Sequence, residues 1–289
     1  MKYITIDDLT KTIRTNIWKV PRDIDFIIGV PRSGMIAASI ISSYLNVPLI
    51  DVNSFLAGLE PAGGLRLNYF TESHHKTNKV LVIDDTVFGG TAMNNTRKRL
   101  SNNTNLSFVF VCVYLEGVGI NAVDIYLEDI RKYTNDDNRI VLYEWNIFQH
   151  HTKFMQKCLY DIDGVFCVDP PDERNEEEYL KYIANAKPLF IPRTKLGGIV
   201  TYRLSKNREI TEKWLAEQGI QYNDLMMFKA NSWQERHDSG ITSEMFKASI
   251  YADKPEMKLF VESSDYQAQR IARLSGKPVY CVETNKMYQ

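Results

Sequence analysis

This chain has no apolar run long enough to span a bilayer, so an integral membrane segment is not expected. Its first residues, MKYITI, lack the basic, apolar and small-residue order of a secretory leader. Nor is there an excess of one charge: 35 Lys and Arg stand against 36 Asp and Glu, a formal net charge of -1. A near-neutral chain sets up no broad field for a polyanion, so nucleic acid is not an expected partner. Cysteine is scarce. Cys112, Cys158, Cys167 and Cys281 have no metal-type spacing and read as buried thiols of a reducing compartment, with the cytoplasm as the expected location. Repeats of solenoid period and low-complexity tracts are also missing. What remains is a globular chain of 289 residues, a length that suits two domains with a core each.

The most informative stretch is Val80–Met93, VLVIDDTVFGGTAM. The apolar run reads as a buried parallel strand. It ends in Asp84 and Asp85, at the end of the strand where open α/β sheets place their ligands. The turn that follows, with Thr86, Gly89, Gly90 and Thr91, offers several backbone N–H groups at the start of a helix and so a cradle for a phosphate dianion. Acids beside such a cradle suggest a phosphorylated sugar with hydroxyls or a metal next to the phosphate. Upstream, Gly29–Gly34 (GVPRSG) is a second strand-to-helix turn, in which Arg32, Ser33 and Gly34 suit a pyrophosphate. Between the two, Phe55–Asn78 carries glycines and no clear period, and reads as a functional loop that could close over a site. Arg66, His74, His75 and Lys76 lie in it, with Arg66 or Lys76 as candidates for a pyrophosphate contact.

Leu159–Phe166 (LYDIDGVF) has the same grammar: apolar residues, then Asp161 and Asp163, then a glycine. Two acids one residue apart in a strand-end loop can share Mg2+. A carboxylate can also attack phosphorus and form an aspartyl-phosphate. His150 and His151 look like a metal pair, but no matching ligand set is visible, and a linker or interdomain role is expected. The strand and helix alternation on both sides of residues 149–156 predicts two parallel α/β sheets.

The first half resembles the type I phosphoribosyltransferases. In that family the two acids contact the ribose hydroxyls of phosphoribosyl pyrophosphate (PRPP) and the glycine turn holds its 5-phosphate. The resemblance implies PRPP binding by Arg32, Ser33, Gly34, Asp84, Asp85, Thr86, Gly89, Gly90 and Thr91, with Asp85 also a candidate to accept a proton late in transfer. Two departures bear on the acceptor. Gly89 and Ala92 stand where the family often has hydroxyl residues, and Phe88 stands where purine-using members place an Asp.

The second half resembles the haloacid dehalogenase phosphatases. The resemblance implies Asp161 as nucleophile, Asp163 as general acid/base, Thr201 as a ligand of the transferring phosphoryl group, and Lys247 as the balancing cation, with Lys229 as the alternative. Arg203 is placed to reach a substrate anion. The implied cofactor is Mg2+, held by Asp161, Asp163 and Glu262, with Asp265 as an alternative or second ligand. The expected fold class is thus α/β in two domains: residues 1–152, a type I phosphoribosyltransferase-like parallel sheet, and residues 153–289, a dehalogenase-like Rossmannoid sheet with little or no cap.

Together the resemblances imply a bifunctional enzyme. It would transfer 5-phosphoribosyl from PRPP to a glycan acceptor, lipid-linked or free, and then remove the 5-phosphate to leave a ribofuranosyl unit, as the paired enzymes of bacterial polysaccharide synthesis do. A homo-oligomer is compatible with this reading. Two other readings stay open on the sequence: an orotate-like nucleobase transferase fused to a nucleotide phosphatase, and a non-catalytic sensor of PRPP or nucleotides.

Overall fold

The protein is described from a computed structural model covering residues 1–64, 76–133, 140–150, 152–171 and 174–289. It divides into two compact units, Met1–Trp145 and Asn146–Gln289, where the sequence reading set the division at 152/153. The short helix Thr152–Met155 buries Phe154 and Met155 and belongs to the second unit.

The first unit holds β1 (Lys2–Ile4), β2 (Phe26–Gly29), β3 (Leu49–Asp51), β4 (Lys79–Val87), β5 (Ser107–Leu115), β6 (Ile125–Asp129) and β7 (Val141–Tyr143). Five of these form a parallel sheet in the order β3-β2-β4-β5-β6. Alternate residues of β4 enter different cores. Leu81 and Ile83 pack with Leu9, Ile13, Ala38 and Ile41 from helices Ile6–Asn16 and Gly34–Leu45. Val80 and Val82 pack with Met93 and Leu100 of helix Thr91–Leu100. Both faces are therefore covered, which is why the strand reads as one continuous apolar run.

Residues 1–22, read from the sequence as a helix or arm, contain β1 before helix Ile6–Asn16. That helix starts on a capping box between Thr5 and Asp8. Strand β1 pairs in parallel with β7, Lys2 opposite Val141 and Ile4 opposite Tyr143, a match no local pattern could announce.

The second unit holds β8 (Cys158–Tyr160), β9 (Leu196–Leu204), β10 (Tyr222–Phe228), β11 (Leu259–Glu262), β12 (Val279–Cys281) and β13 (Lys286–Tyr288), in the order β10-β9-β8-β11-β12-β13. All pairings are parallel except β13 on β12. The crossover from β8 to β9 carries helix Glu176–Asn185, and the next carries Arg208–Glu217. Trp214 of the latter donates its indole N–H to the Ala186 carbonyl at 3.0 Å, tying the two crossovers together. Helices Ser243–Ala252 and Asp265–Ser275 pack Ala248, Tyr251, Ala268 and Ile271 on Leu159 and Phe260. The expected strand Leu189–Pro192 is not formed; only a bridge from Pro188 to Cys167 is present. Prolines 188 and 192 both lack the N–H a ladder needs.

Candidate functional site

Strand β4 delivers Asp84 and Asp85 to the carboxyl end of the first sheet, and both are buried. Asp84 Oδ1 accepts the Asp85 backbone N–H at 2.9 Å. Asp85 Oδ2 accepts the Trp145 indole N–H at 2.8 Å, with the Thr86 hydroxyl at 3.4 Å. Neither acid has an ion-pair partner among the described residues. Burial, and next the charge of Asp85, raise Asp84 well above the usual carboxylate range. The neighbouring strand β2 ends in the second turn, where the Pro31–Arg32 peptide is cis, Arg32 is exposed and Gly34 opens a helix. Gly34 lies against Asp84: a Cβ there would stand 2.8 Å from Asp84 Oδ1 and 2.9 Å from the Ile83 carbonyl oxygen. The turn after β4 is shaped by Gly90, with φ +79, whose backbone nitrogen would meet a Cβ on Gly119 at 2.6 Å. A Cβ on Gly89 would meet nothing within 4 Å, so the turn is open on that side. Phe88 is 61% exposed.

The second unit gathers its charges at the ends of β8, β9 and β11. Lys247, from helix Ser243–Ala252, sits between Asp161 and Glu262, its Nζ 2.7 Å from Asp161 Oδ2, 2.7 Å from Glu262 Oε2 and 3.0 Å from Gln267 Oε1. Glu262 Oε1 accepts the N–H groups of Ser263 and Ser264 at 2.9 and 3.3 Å. Asp163 is forked by Arg203, with Nη2 to Oδ1 at 2.6 Å and Nε to Oδ2 at 3.1 Å, and takes the Tyr182 hydroxyl at 2.8 Å. Thr201 and Arg203 are buried, and Arg203 Nη1 has no hydrogen-bond partner among the described residues. Gly164, with φ +71, lets the loop pass Ser263, which a Cβ would meet at 2.4 Å. A cavity of about 540 Å³ opens beside it, bordered by Asp169, Ser263, Ser264, Gln267 and Glu283.

Residues 3–146 match the family model described as the phosphoribosyl transferase domain. The first unit is a type I phosphoribosyltransferase domain. Solved structures similar to this domain include the xanthine-guanine-hypoxanthine phosphoribosyltransferase of Helicobacter pylori, at 14% identity and a TM-score of 0.36 over 50% of this chain and 93% of that one. The purine phosphoribosyltransferase of Pyrococcus horikoshii gives 20%, 0.35, 50% and 94% in the same order. The orotate phosphoribosyltransferase of Aeropyrum pernix gives 16%, 0.33, 44% and 71%. No curated protein matches the chain.

Within the phosphoribosyltransferase domain, the structure brings Gly34, Asp84, Asp85 and the Thr86–Thr91 turn to the same end of adjacent strands β2 and β4. Arg66, His74 and His75 lie outside the described residues, and Lys76 is exposed. Sequence reasoning missed Trp145, which holds Asp85 from 60 residues away, and the pair Tyr143 and Glu116, whose hydroxyl-to-Oε2 hydrogen bond is 2.8 Å. Burial raises Glu116, the Tyr143 hydrogen bond opposes this, and Asp85 adds to it. Nothing in the local spelling of these residues marks them; their meaning is in the pairing of β7 with β1.

In the second unit, Asp161 follows the end of β8, Thr201 lies in β9, Glu262 ends β11, and Lys247 comes from the helix Ser243–Ala252 that packs on them. Lys229 is exposed, and Asp265 turns instead to Thr284, Gln269 and Tyr288. Burial pushes Asp161 up to about 7 against the pull of Lys247, with Glu262 and Asp163 adding to the rise. Burial also works to raise Asp163, but the Arg203 charge and hydrogen bonds hold it below the usual carboxylate range. Arg203, expected to reach a substrate anion, is instead committed to Asp163. The expected general acid is therefore kept ionised, a state that takes a proton and cannot give one. His151 lies outside the described residues, and His150 rests against the Phe154 ring.

The expected Mg2+ ligands do not fit a divalent ion in this arrangement. Asp161 and Glu262 each give an oxygen to Lys247, and both oxygens of Asp163 go to Arg203. Among the described residues no three His, Cys, Asp or Glu side chains converge as metal ligands. The two cations already neutralise most of the charge that a metal would balance.

Proposed function

We propose that the first unit transfers 5-phosphoribosyl from PRPP to a glycan hydroxyl and that the second unit then removes the 5-phosphate. The observation that carries this reading is the buried Asp84–Asp85 step, with no ion-pair partner among the described residues, beside a turn that is open at Gly89. A buried carboxylate without a cation is costly, and ribose hydroxyls that donate to it lower that cost on binding. The N–H groups of the turn hold the 5-phosphate, and Arg32 and the Gly34 helix start face the pyrophosphate. As the C1–oxygen bond breaks, the developing positive charge at C1 is favoured by the two acids. Mg2+ carried by the pyrophosphate would spread the leaving charge.

A glycan acceptor is supported by Phe88, which cannot take a proton from a base nitrogen, and by the second unit. In that unit Lys247 holds Asp161, which attacks phosphorus as the bond from phosphorus to the ribose O5 breaks with its electron pair on O5, and O5 takes a proton from solvent. Water then attacks the aspartyl-phosphate, ionised Asp163 takes the water's proton, and phosphate leaves with the Asp161 carboxylate restored. The cavity beside Gly164 combines hydroxyl, amide and carboxylate groups of Ser263, Ser264, Gln267, Asp169 and Glu283 with the apolar Val168, Leu189 and Val282, a mixed lining that can take both the hydroxyls and the carbon face of a sugar. Nucleotide synthesis keeps the 5-phosphate; a ribofuranosyl glycan does not. Incubation with PRPP, Mg2+, a panel of oligosaccharides and a panel of nucleobases tests this, with pyrophosphate and phosphate followed separately. Oligosaccharide-dependent pyrophosphate release followed by equal phosphate release is expected. Turnover with a base and with no oligosaccharide would replace the acceptor.

A further inference from the structure

We propose that Glu116 is the proton acceptor for the attacking hydroxyl in the phosphoribosyltransferase domain, an inference that rests on the transfer reading above. Glu116 is the first residue after β5, the neighbour of β4. Its backbone N–H donates to the Val87 carbonyl at 2.9 Å, so it begins beside the phosphate turn. The loop it opens forms one wall of that turn. A Cβ on Gly117 would stand 2.7 Å from the Phe88 ring, and one on Gly119 would stand 2.6 Å from the Gly90 nitrogen. Glu116 thus begins beside the turn proposed to take the 5-phosphate, at the start of the loop that packs on the exposed Phe88 ring.

The division of work between the two carboxylates is set by β7 and the residues after it. Tyr143 donates to Glu116 Oε2 at 2.8 Å, and Trp145 donates to Asp85 Oδ2 at 2.8 Å. The two rings lie 5.1 Å apart, so each fixes the other. Asp85 is committed to the indole and, in the transfer reading, to ribose. Glu116 stands one strand over, half-buried, with Asp85 of β4 and Tyr143 of β7 among the titratable groups that act on it. Its raised affinity for a proton comes from burial, is opposed by the Tyr143 hydrogen bond and is reinforced by Asp85.

The acceptor oxygen bonds to C1, the C1–oxygen bond to pyrophosphate breaks with its electron pair going to pyrophosphate, and the acceptor proton passes to the Glu116 carboxylate. An alcohol is a weak nucleophile until that proton leaves, and a carboxylate of raised pKa holds it better than an ordinary one.

The test uses the full chain with PRPP and with water and glycerol as probe hydroxyl acceptors. Pyrophosphate release is measured across pH, and PRPP affinity by calorimetry. Glu116→Gln is expected to slow release roughly 100-fold while PRPP affinity stays within about twofold, the usual share of one proton-transfer group. Tyr143→Phe removes a hydrogen bond that lowers the Glu116 pKa, so the acidic limb of the rate profile should move to higher pH, a shift that a merely structural role would not produce. An unchanged rate in Glu116→Gln, or an unmoved limb in Tyr143→Phe, overturns the assignment while leaving transfer intact. Lost PRPP affinity in Glu116→Gln makes it a substrate-holding group and also overturns it. A wild-type chain that binds no PRPP brings down the transfer reading and this inference together.

Discussion

Gly34 and Asp84 touch through the space a side chain would fill: a Cβ on Gly34 would lie 2.8 Å from Asp84 Oδ1 and 3.0 Å from Asp84 Cα. The turn after β2 and the acids of β4 are therefore one unit, since the helix start can approach the carboxylate only as glycine. Gly34→Ala should displace one or both, lowering PRPP affinity at least tenfold and costing about 1–3 kcal/mol of stability, the usual penalty of overpacking. Calorimetry with PRPP and urea unfolding measure the two effects.

Arg203 and Asp163 make a buried fork in the second unit. Arg203→Ala leaves Asp163 without its cation and should destabilise that unit by about 3–5 kcal/mol. The double change Arg203→Met with Asp163→Asn should recover much of this loss, because no buried charge is then left alone. Denaturant unfolding followed by Trp214 fluorescence reports on the unit that carries the pair.

Lys247→Met leaves Asp161 and Glu262 facing each other. Asp161 is already raised to about 7 with Lys247 present, and loss of that cation raises it further. A carboxylate whose folded pKa lies above its unfolded value favours the fold below the unfolded value and loses that contribution as pH rises through the folded one. The stability deficit of Lys247→Met should therefore be smallest near pH 4 and largest above pH 7. Unfolding midpoints at pH 4, 6 and 8 check the sign; a deficit that shrinks with rising pH would contradict it.

Asp161→Asn should separate the two proposed activities. Pyrophosphate release from PRPP should persist, while the product keeps its 5-phosphate. Mass spectrometry of the product decides this, and a product that still lacks the phosphate would remove Asp161 from the nucleophile role.

Much of the first unit was legible because its evidence is local. The run from Val80 to Ile83 is apolar at every position because both sheet faces are covered, and its two acids and glycine turn are contiguous in sequence. The same holds for the Asp161–Gly164 loop. What was not legible is non-local. The β1–β7 pair joins residues at opposite ends of the unit, and it brings with it Tyr143, Trp145 and their hold on Glu116 and Asp85. Arg203 was noticed by its position after Thr201, but the partner it takes, Asp163, comes from another strand end, and only the packing of β9 beside β8 decides that. Leu189–Pro192 was apolar enough for a strand, but Leu189 and Phe190 donate their N–H groups to the Phe166 and Val165 carbonyls of the loop after β8 and not to a strand, and Pro188 and Pro192 on either side cannot extend a ladder.

The central claim is that Asp84 and Asp85 hold the ribose of PRPP. Calorimetric titration with PRPP and Mg2+ tests it most directly, comparing the wild-type chain with Asp84→Asn/Asp85→Asn after circular dichroism has shown both to be folded. The account predicts saturable one-site binding by the wild type and affinity weaker by at least 100-fold in the double variant, about 2.7 kcal/mol by the affinity relation. Equal affinity in the two proteins, or no binding by the wild type, would contradict it.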